Sequence, residues 1–231
     1  MIKEAFNYFQ KIYLINLDSR PDRLARALTI FNQLGIADRV ERLSGIVPPD
    51  GNGRQGCLLS HIETIKRAKA LGLKNVLVFE DDFELMNINF IPPAIDQLQR
   101  THWALYYLGY NSHSSLSQVS PNLLKITNCY AAHAIAYNST IFDFILHAFE
   151  NNNIEIIDVW LAKNVQSKFE CFGSYPLAAI QIPGHSDIEK KEVNYDFIID
   201  RFIKNTKHLT KKTINNQKMV KNEQNFDNRS R

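Results

Sequence analysis

Glu80-Asp81-Asp82 follows directly on the run Asn75-Val76-Leu77-Val78-Phe79, so three carboxylates stand in succession where an apolar stretch ends. A continuous apolar run of this length, bounded by Gly72 on one side and by charge on the other, reads as a strand covered on both faces, as in a parallel sheet. The carboxyl end of such a strand is the edge where ligands bind. Adjacent acids repel one another, and a fold that gathers them offsets the cost with a cation or a shifted protonation equilibrium. The chemistry that uses them best is a divalent cation bridging a diphosphate. Mg²⁺ and Mn²⁺ prefer oxygen ligands, bind through one or two protein carboxylates and complete their shell with phosphate and water. Continued strand geometry would put Glu80 and Asp82 on one side. One of Asp81 and Asp82 is then expected to hold the metal while another acid bonds a ribose hydroxyl or orients a ligand. The competing reading is a solvated acidic turn.

A second pattern, Gly51-Asn52-Gly53-Arg54-Gln55-Gly56, matches the dinucleotide fingerprint letter by letter. Its context does not: Pro48-Pro49-Asp50 precede it in place of a strand, and no ribose-binding acid is suitably placed about 20 residues on. These glycines read as a flexible loop that orders over a ligand.

The elements needed to position the acids are legible. Lys11 to Leu17 predicts a first strand, and Asp18-Ser19-Arg20-Pro21 a helix start. That helix runs to Leu34, with Leu24, Leu28 and Phe31 on one face beside Ala27, and Gly35 closes it. Val40 to Leu43 predicts a second strand, and Cys57 to Leu71 a helix leading through Gly72 into the acid-bearing strand. Trp103–Leu108, Leu123–Ile126 and Ala131–Tyr137 read as strands, and Asn138-Ser139 as the cap of a helix from Thr140 to Phe149. Alternating βα units followed by irregular strands and helices predict an α/β sandwich, its first half of nucleotide-binding type and its second supplying another substrate. The expected division is 1–109 for the nucleotide half, 110–203 for the acceptor half of the same domain, and 204–231 for a basic tail.

The 231 residues are 45% apolar, enough for one large domain. No apolar run approaches the roughly 20 residues of a membrane span, and the start lacks an apolar core with a cleavage site, so the expectation is a cytoplasmic protein. Cys57, Cys129 and Cys171 are odd in number and unpaired in spacing, which predicts reduced core thiols. From Ile203 onward there are eight Lys or Arg against two acids, a net +6 within a total of +3, leaving −3 for the rest. This segment is expected to be disordered from about Thr210 and either to dock on an anionic membrane face or simply to solubilise. Nucleic acid is not the expected partner, because no aromatic residues are interleaved with the basic ones.

Taken together, YLINLDSRPDR at Tyr13 to Arg23, GCLLSH at Gly56 to His61, VLVFEDD at Val76 to Asp82, YYLG at Tyr106 to Gly109, Asp158 within IIDVWL, and His185-Ser186-Asp187-Ile188 resemble glycosyltransferase family 25, the lipooligosaccharide β-galactosyltransferase and collagen galactosyltransferase group. The resemblance implies a GT-A fold, a Rossmann-like α/β/α sandwich with a mixed, mainly parallel sheet. It also implies a uridine diphosphate hexose as donor, galactose before glucose, and Mn²⁺ or Mg²⁺ dependence. The expected acceptor is a saccharide or glycolipid such as lipooligosaccharide, with collagen-type hydroxylysine or a non-catalytic nucleotide-sugar-binding module as alternatives.

Roles follow for named residues. Asn16 and Leu17 would border the uridine. Arg20 and Arg23 would approach the phosphates or stand as solvated helix-start charges. Ser60 and His61, expected in a first helical turn, would favour phosphate, with a structural histidine as the alternative. Glu80 and Asp81 would contact the donor, and Asp81 and Asp82 would hold the ion. Asp158 is expected to be the base that takes the acceptor's proton, or a helix cap, with Glu155 in reserve. Val159 stands where the family segment carries a second acid, which removes any role needing two carboxylates there. By resemblance His185 would be a late metal ligand, and Asp187 a polar contact near the diphosphate.

Overall fold

The computed structural model describes residues 2–188 and 190–209. The tail expected from Thr210 onward therefore lies outside the described residues, whereas 204–209 continue a helix that runs from 196 and buries Thr206 and Leu209. In chain order the first half comprises α1 (Ile2–Phe6), β1 (Lys11–Asn16), α2 (Pro21–Leu34), β2 (Val40–Ser44), α3 (Gly53–Ala70), β3 (Asn75–Glu80), β4 (Phe83–Leu85), α4 (Ile91–Gln99) and β5 (Leu105–Tyr107). The second comprises β6 (Asn111–Ser112), β7 (Ser117–Ser120), β8 (Leu123–Lys125), β9 (Cys129–Tyr130), β10 (Ala134–Asn138), α5 (Phe142–Glu150), α6 (Ile157–Asn164), β11 (Cys171–Ser174), β12 (Ala179–Gln181), β13 (Gly184–Ser186), β14 (Lys191–Val193) and α7 (196–209).

Eight strands form one sheet in the order β2-β1-β3-β10-β5-β11-β8-β7. β1 pairs in parallel with β2 and β3, and β5 with β11, while β10 and β8 run against their neighbours. Six strands therefore point one way, the mixed, mainly parallel sheet expected. Strand alternation builds a core on each face. Tyr13, Val76, Val78, Ile135 and Tyr137 pack with Leu58, Ile62, Phe142, Ile145, Ile157 and Leu161 of α3, α5 and α6. Ile12, Leu14, Leu77, Phe79, Ala134 and Ala136 pack with Ala27, Phe31, Ile95 and Leu98 of α2 and α4. The result is a Rossmann-like α/β/α sandwich. The two halves of the chain share its sheet, because β10 is inserted between β3 and β5.

Two local expectations change. α2 begins with Pro21 in its first turn and ends on Gly35 at φ 69°, as expected, but its buried positions are Ala27, Phe31 and Leu34, with Leu28 exposed. The helix is turned by one position relative to the apolar spacing. α3 starts at Gly53, not Cys57, because the Asn52 side chain accepts a hydrogen bond from the Gln55 backbone and caps it. The glycine segment is thus largely the first turn of a helix. Gly56 is there for close approach: a Cβ at that position would lie 2.4 Å from the Ile46 carbonyl oxygen.

Candidate functional site

The amino ends of α2 and α3 and the carboxyl ends of β1, β2 and β3 enclose a cavity of about 290 Å³ lined by all three acids of the triplet. Its apolar wall includes Ile15, Leu17, Ile46 and Val47, and its polar wall includes Arg23, Ser60, His61 and Asp187. Beside it lies a second cavity of about 340 Å³, lined by Tyr130, Ala131, Asp158, Val159 and Phe197 among others. Cys57, Glu80, Gln181, Ser186, Ile188 and Tyr195 line both and form the common wall.

Alternation along β3 deals the acids to different partners. Glu80 shares the face of Val76 and Val78 and meets α3, where its Oε1 lies 3.0 Å from His61 Nε2 and accepts from Cys57 Sγ at 3.6 Å. The other ring nitrogen of His61, Nδ1, is 3.0 Å from the Tyr137 hydroxyl. Burial alone would raise the Glu80 carboxyl, but the His61 hydrogen bond together with the charges of His61 and His133 hold it below the ordinary range. Asp81 faces the α2 side instead. Arg23 donates to its Oδ1 at 2.9 Å and Asn16 to its Oδ2 at 2.7 Å, leaving Asp81 buried with both oxygens engaged. A turn after Glu80 ends the strand geometry on which the shared side of Glu80 and Asp82 depended, yet both still line the same cavity.

Asp82 is the unsatisfied member. Gln181 Nε2 donates to its Oδ2 at 3.2 Å, while Oδ1 is shielded from water and has no hydrogen-bond partner. Burial, then the charges of Glu80 and Asp81, push this carboxyl up to about 7 against the opposing pull of Arg23. A desolvated, unpartnered carboxylate oxygen on the cavity wall does not fit a solvated turn, and it offers a hard divalent cation one oxygen ligand. The three acids line one cavity but face different partners, so they are not gathered into a single ligand cluster.

The remaining expected residues divide. Arg23 lines the cavity and donates to the His185 carbonyl at 2.6 Å. Arg20 sits outside it, bridging Asp22 and, at 2.7 Å, Asp187. These contacts tie the β13–β14 hairpin to the start of α2, with Asp187 lining the cavity. Asn16 is buried under the site: its side chain donates to Asp81 and to the Arg20 carbonyl and accepts from Arg42, while Leu17 lines the cavity itself. Ser60 donates to the Gly56 carbonyl and accepts from the Ile46 backbone, which fastens the loop after β2 onto α3. Because α3 starts early, Ser60 and His61 stand two turns inside it, beyond reach of its amino-terminal dipole. The His185 side chain is half exposed, 3.6 Å from Glu192, and is not brought among the acids. Asp158 lies in the first turn of α6; its Oδ2 accepts from the Ala131 backbone at 3.0 Å and its Oδ1 from Val159 at 2.8 Å. It is therefore no side-chain N-cap, a position held by Ile156. Ala131 has φ 78°, a strained value for alanine, and the Asp158 bond helps hold it there.

Sequence reasoning missed Cys57, Tyr137, Gln181 and Tyr195. Only Cys57 carried a local signal, one helical turn before His61.

No family model matches the chain. Among curated proteins it is 30% identical over 129 residues to the human "Inactive glycosyltransferase 25 family member 3" and 30% identical over 131 residues to the Bos taurus "Probable inactive glycosyltransferase 25 family member 3". Each match covers 44% of this chain and 22% of the relative, so the chain spans about a fifth of the length of the curated relatives it matches. Among solved structures it resembles the mannose-1-phosphate geranyltransferase of Thermus thermophilus at 10% identity and a TM-score of 0.43, over 71% of this chain and 73% of that one. It resembles a UDP-glucose pyrophosphorylase complexed with UDP-glucose at 9% identity and a TM-score of 0.42, over 87% and 81%. The similarity to glycosyltransferase family 25 first read from the motifs thus recurs in the comparison with curated proteins.

Proposed function

We propose that the chain is a metal-dependent inverting glycosyltransferase that moves a hexose, galactose before glucose, from a uridine diphosphate donor to a saccharide acceptor. The observation that carries this reading is the pair of adjoining cavities. One holds the acid triplet with the unpartnered Asp82 oxygen, the other holds Asp158, and Glu80 and Cys57 stand in the wall between. A transfer between two bound substrates needs two compartments that meet at one point.

In this reading the Ile15, Leu17 and Ile46 wall accepts the flat base, and Arg23 faces the diphosphate. Asp82 and Asp81 hold the cation, which when bound offsets the charge developing on the departing diphosphate. Asp81 accepts one hydrogen bond on each oxygen, from Asn16 and Arg23, and the second acceptor position on each is the one it offers the ion. The acceptor hydroxyl oxygen attacks the anomeric carbon from the face opposite the diphosphate, the carbon–diphosphate bond breaks, and the hydroxyl proton passes to Asp158. Its two backbone hydrogen bonds fix Asp158 and occupy one acceptor position on each oxygen, leaving another free. The ring faces of Tyr130, Tyr195 and Phe197 suit the apolar faces of a sugar.

A second reading, a nucleotide-sugar-binding module without turnover, is favoured by the names of the two relatives. One experiment separates them. Incubation with a panel of nucleotide sugars, Mn²⁺ and a saccharide acceptor should release nucleoside diphosphate. Asp158→Asn should lower turnover at least 100-fold with donor affinity within about twofold of the parent. Donor binding without release would establish the module, and full turnover by Asp158→Asn would remove it as the base.

A further inference from the structure

The wall between the cavities carries a ligand set that the transfer chemistry does not use. Cys57 and His61 lie one turn apart on α3, and Glu80 faces both from the end of β3. One ligating atom from each falls within 4.8 Å of the other two. The Nε2–Oε1 separation is 3.0 Å and the Sγ–Oε1 separation 3.6 Å. A tetrahedral ion with sulfur at about 2.3 Å and nitrogen and oxygen at about 2.0 Å has edges of roughly 3.3–3.6 Å between such ligands. Small side-chain movements bring the three atoms to those edges.

We propose that Cys57, His61 and Glu80 form a binding site for a thiophilic divalent cation, Zn²⁺ by its chemistry, separate from the oxygen-donor site at Asp82. Sulfur and imidazole are poor ligands for Mg²⁺ and good ones for zinc. The charges close: a dication with one thiolate and one carboxylate is neutral, as burial in a low-dielectric wall requires. The protons close as well. The thiol proton leaves to solvent, and the His61 proton moves from Nε2 to Nδ1, where the Tyr137 hydroxyl rotates to accept it. Three protein ligands leave the fourth position open, and both cavities reach Cys57 and Glu80, giving the ion its entry.

Co²⁺ replaces Zn²⁺ as the probe, added to the full chain without donor or acceptor, so the outcome does not depend on any transfer being found. One equivalent should produce thiolate-to-cobalt charge-transfer absorption that Zn²⁺ abolishes. Cys57→Ser should lose the band, Glu80→Gln should weaken cobalt affinity at least tenfold, and Asp82→Asn should leave both intact. Cys129 and Cys171 are fully buried elsewhere and serve as internal controls. Cobalt binding without charge transfer, or a band that survives in Cys57→Ser, overturns the site. If Cys57→Ser does not fold, the Glu80→Gln affinity decides: an unchanged value has the same consequence.

Discussion

Asp82 is poorly accommodated by the fold that holds it. Its Oδ1 is buried and unpartnered, and its carboxyl is pushed up to about 7 by burial and by the neighbouring acids. In an unfolded chain an Asp titrates near ~3.9. Between those values the folded state binds more protons than the unfolded one, so stability falls as pH rises through the window, and the full penalty is present above pH 7. Three pKa units correspond to at most about 4 kcal/mol, and sharing among coupled carboxylates reduces that to a few. Asp82→Asn should therefore stabilise the metal-free protein by about 2–3 kcal/mol at pH 8, with the gain fading by pH 4, while abolishing the Mn²⁺-dependent donor binding proposed above. Urea unfolding in chelator, paired with donor titration, measures both; an Asn variant no more stable than its parent at pH 8 would remove the strain. The composition of this site was readable because the three acids adjoin in sequence. Its allotment was not. Which acid meets His61, which meets Arg23 and which is left alone depends on strand parity and on a turn after Glu80 that residue types do not announce.

The elements that carry the site were mostly visible as apolar runs and glycine or proline punctuation, since β1, β2, β3 and α2 fall where those patterns place them. α3 shows what pattern alone misses. Its start is set by the Asn52 cap, and its position by the approach of Gly56 to the Ile46 carbonyl, neither of which alters hydrophobic spacing. The short β4 and the proline-led α4 are not among the predicted elements. Ile91-Pro92-Pro93 looks like a breaker, yet its prolines occupy the first helical turn, where a missing N–H costs little. The Gly56 contact is the element-scale device that fixes Cys57, Ser60 and His61 against the loop after β2. Gly56→Ala would place a methyl 2.4 Å from a backbone oxygen, so helix and loop must part. The expected cost is about 1–3 kcal/mol in chemical unfolding. If the cavity takes the proposed uridine diphosphate, its affinity should fall at least tenfold, because Ile46, Val47 and Pro48 line the same cavity. Unchanged affinity in a destabilised variant would separate this loop from the ligand.

Across the whole molecule, two buried groups beside Glu80 have pKa values shifted in opposite directions, Asp82 upward and His133 downward. His133 precedes β10, and its backbone carbonyl accepts from the Glu80 amide. Its ring is fully buried, with the Ala179 backbone beside it. Burial lowers its pKa to about 4, although the Glu80 charge and the Ala179 backbone pull upward. The unfolded histidine titrates near ~6.5, so between pH 6.5 and 4 the unfolded chain binds the extra proton, and stability falls as the medium is acidified. The maximum is about 3 kcal/mol, opposite in sign to the Asp82 contribution over the same interval. Other carboxylates, such as Asp22, held down to about 2 by its Arg20 hydrogen bond, also lose stability in acid, so absolute profiles mix several groups. Differences between variants isolate the pair. Relative to the parent, His133→Leu should gain stability as pH falls from 6.5 to 4, whatever its offset at neutral pH, because its charging cost is gone. Asp82→Asn should gain relative stability as pH rises from 4 to 7. Opposed slopes in metal-free unfolding would show that the molecule balances a buried base against a buried acid across the site. A flat His133→Leu difference would mean that water reaches His133, and a flat Asp82→Asn difference that it reaches Asp82.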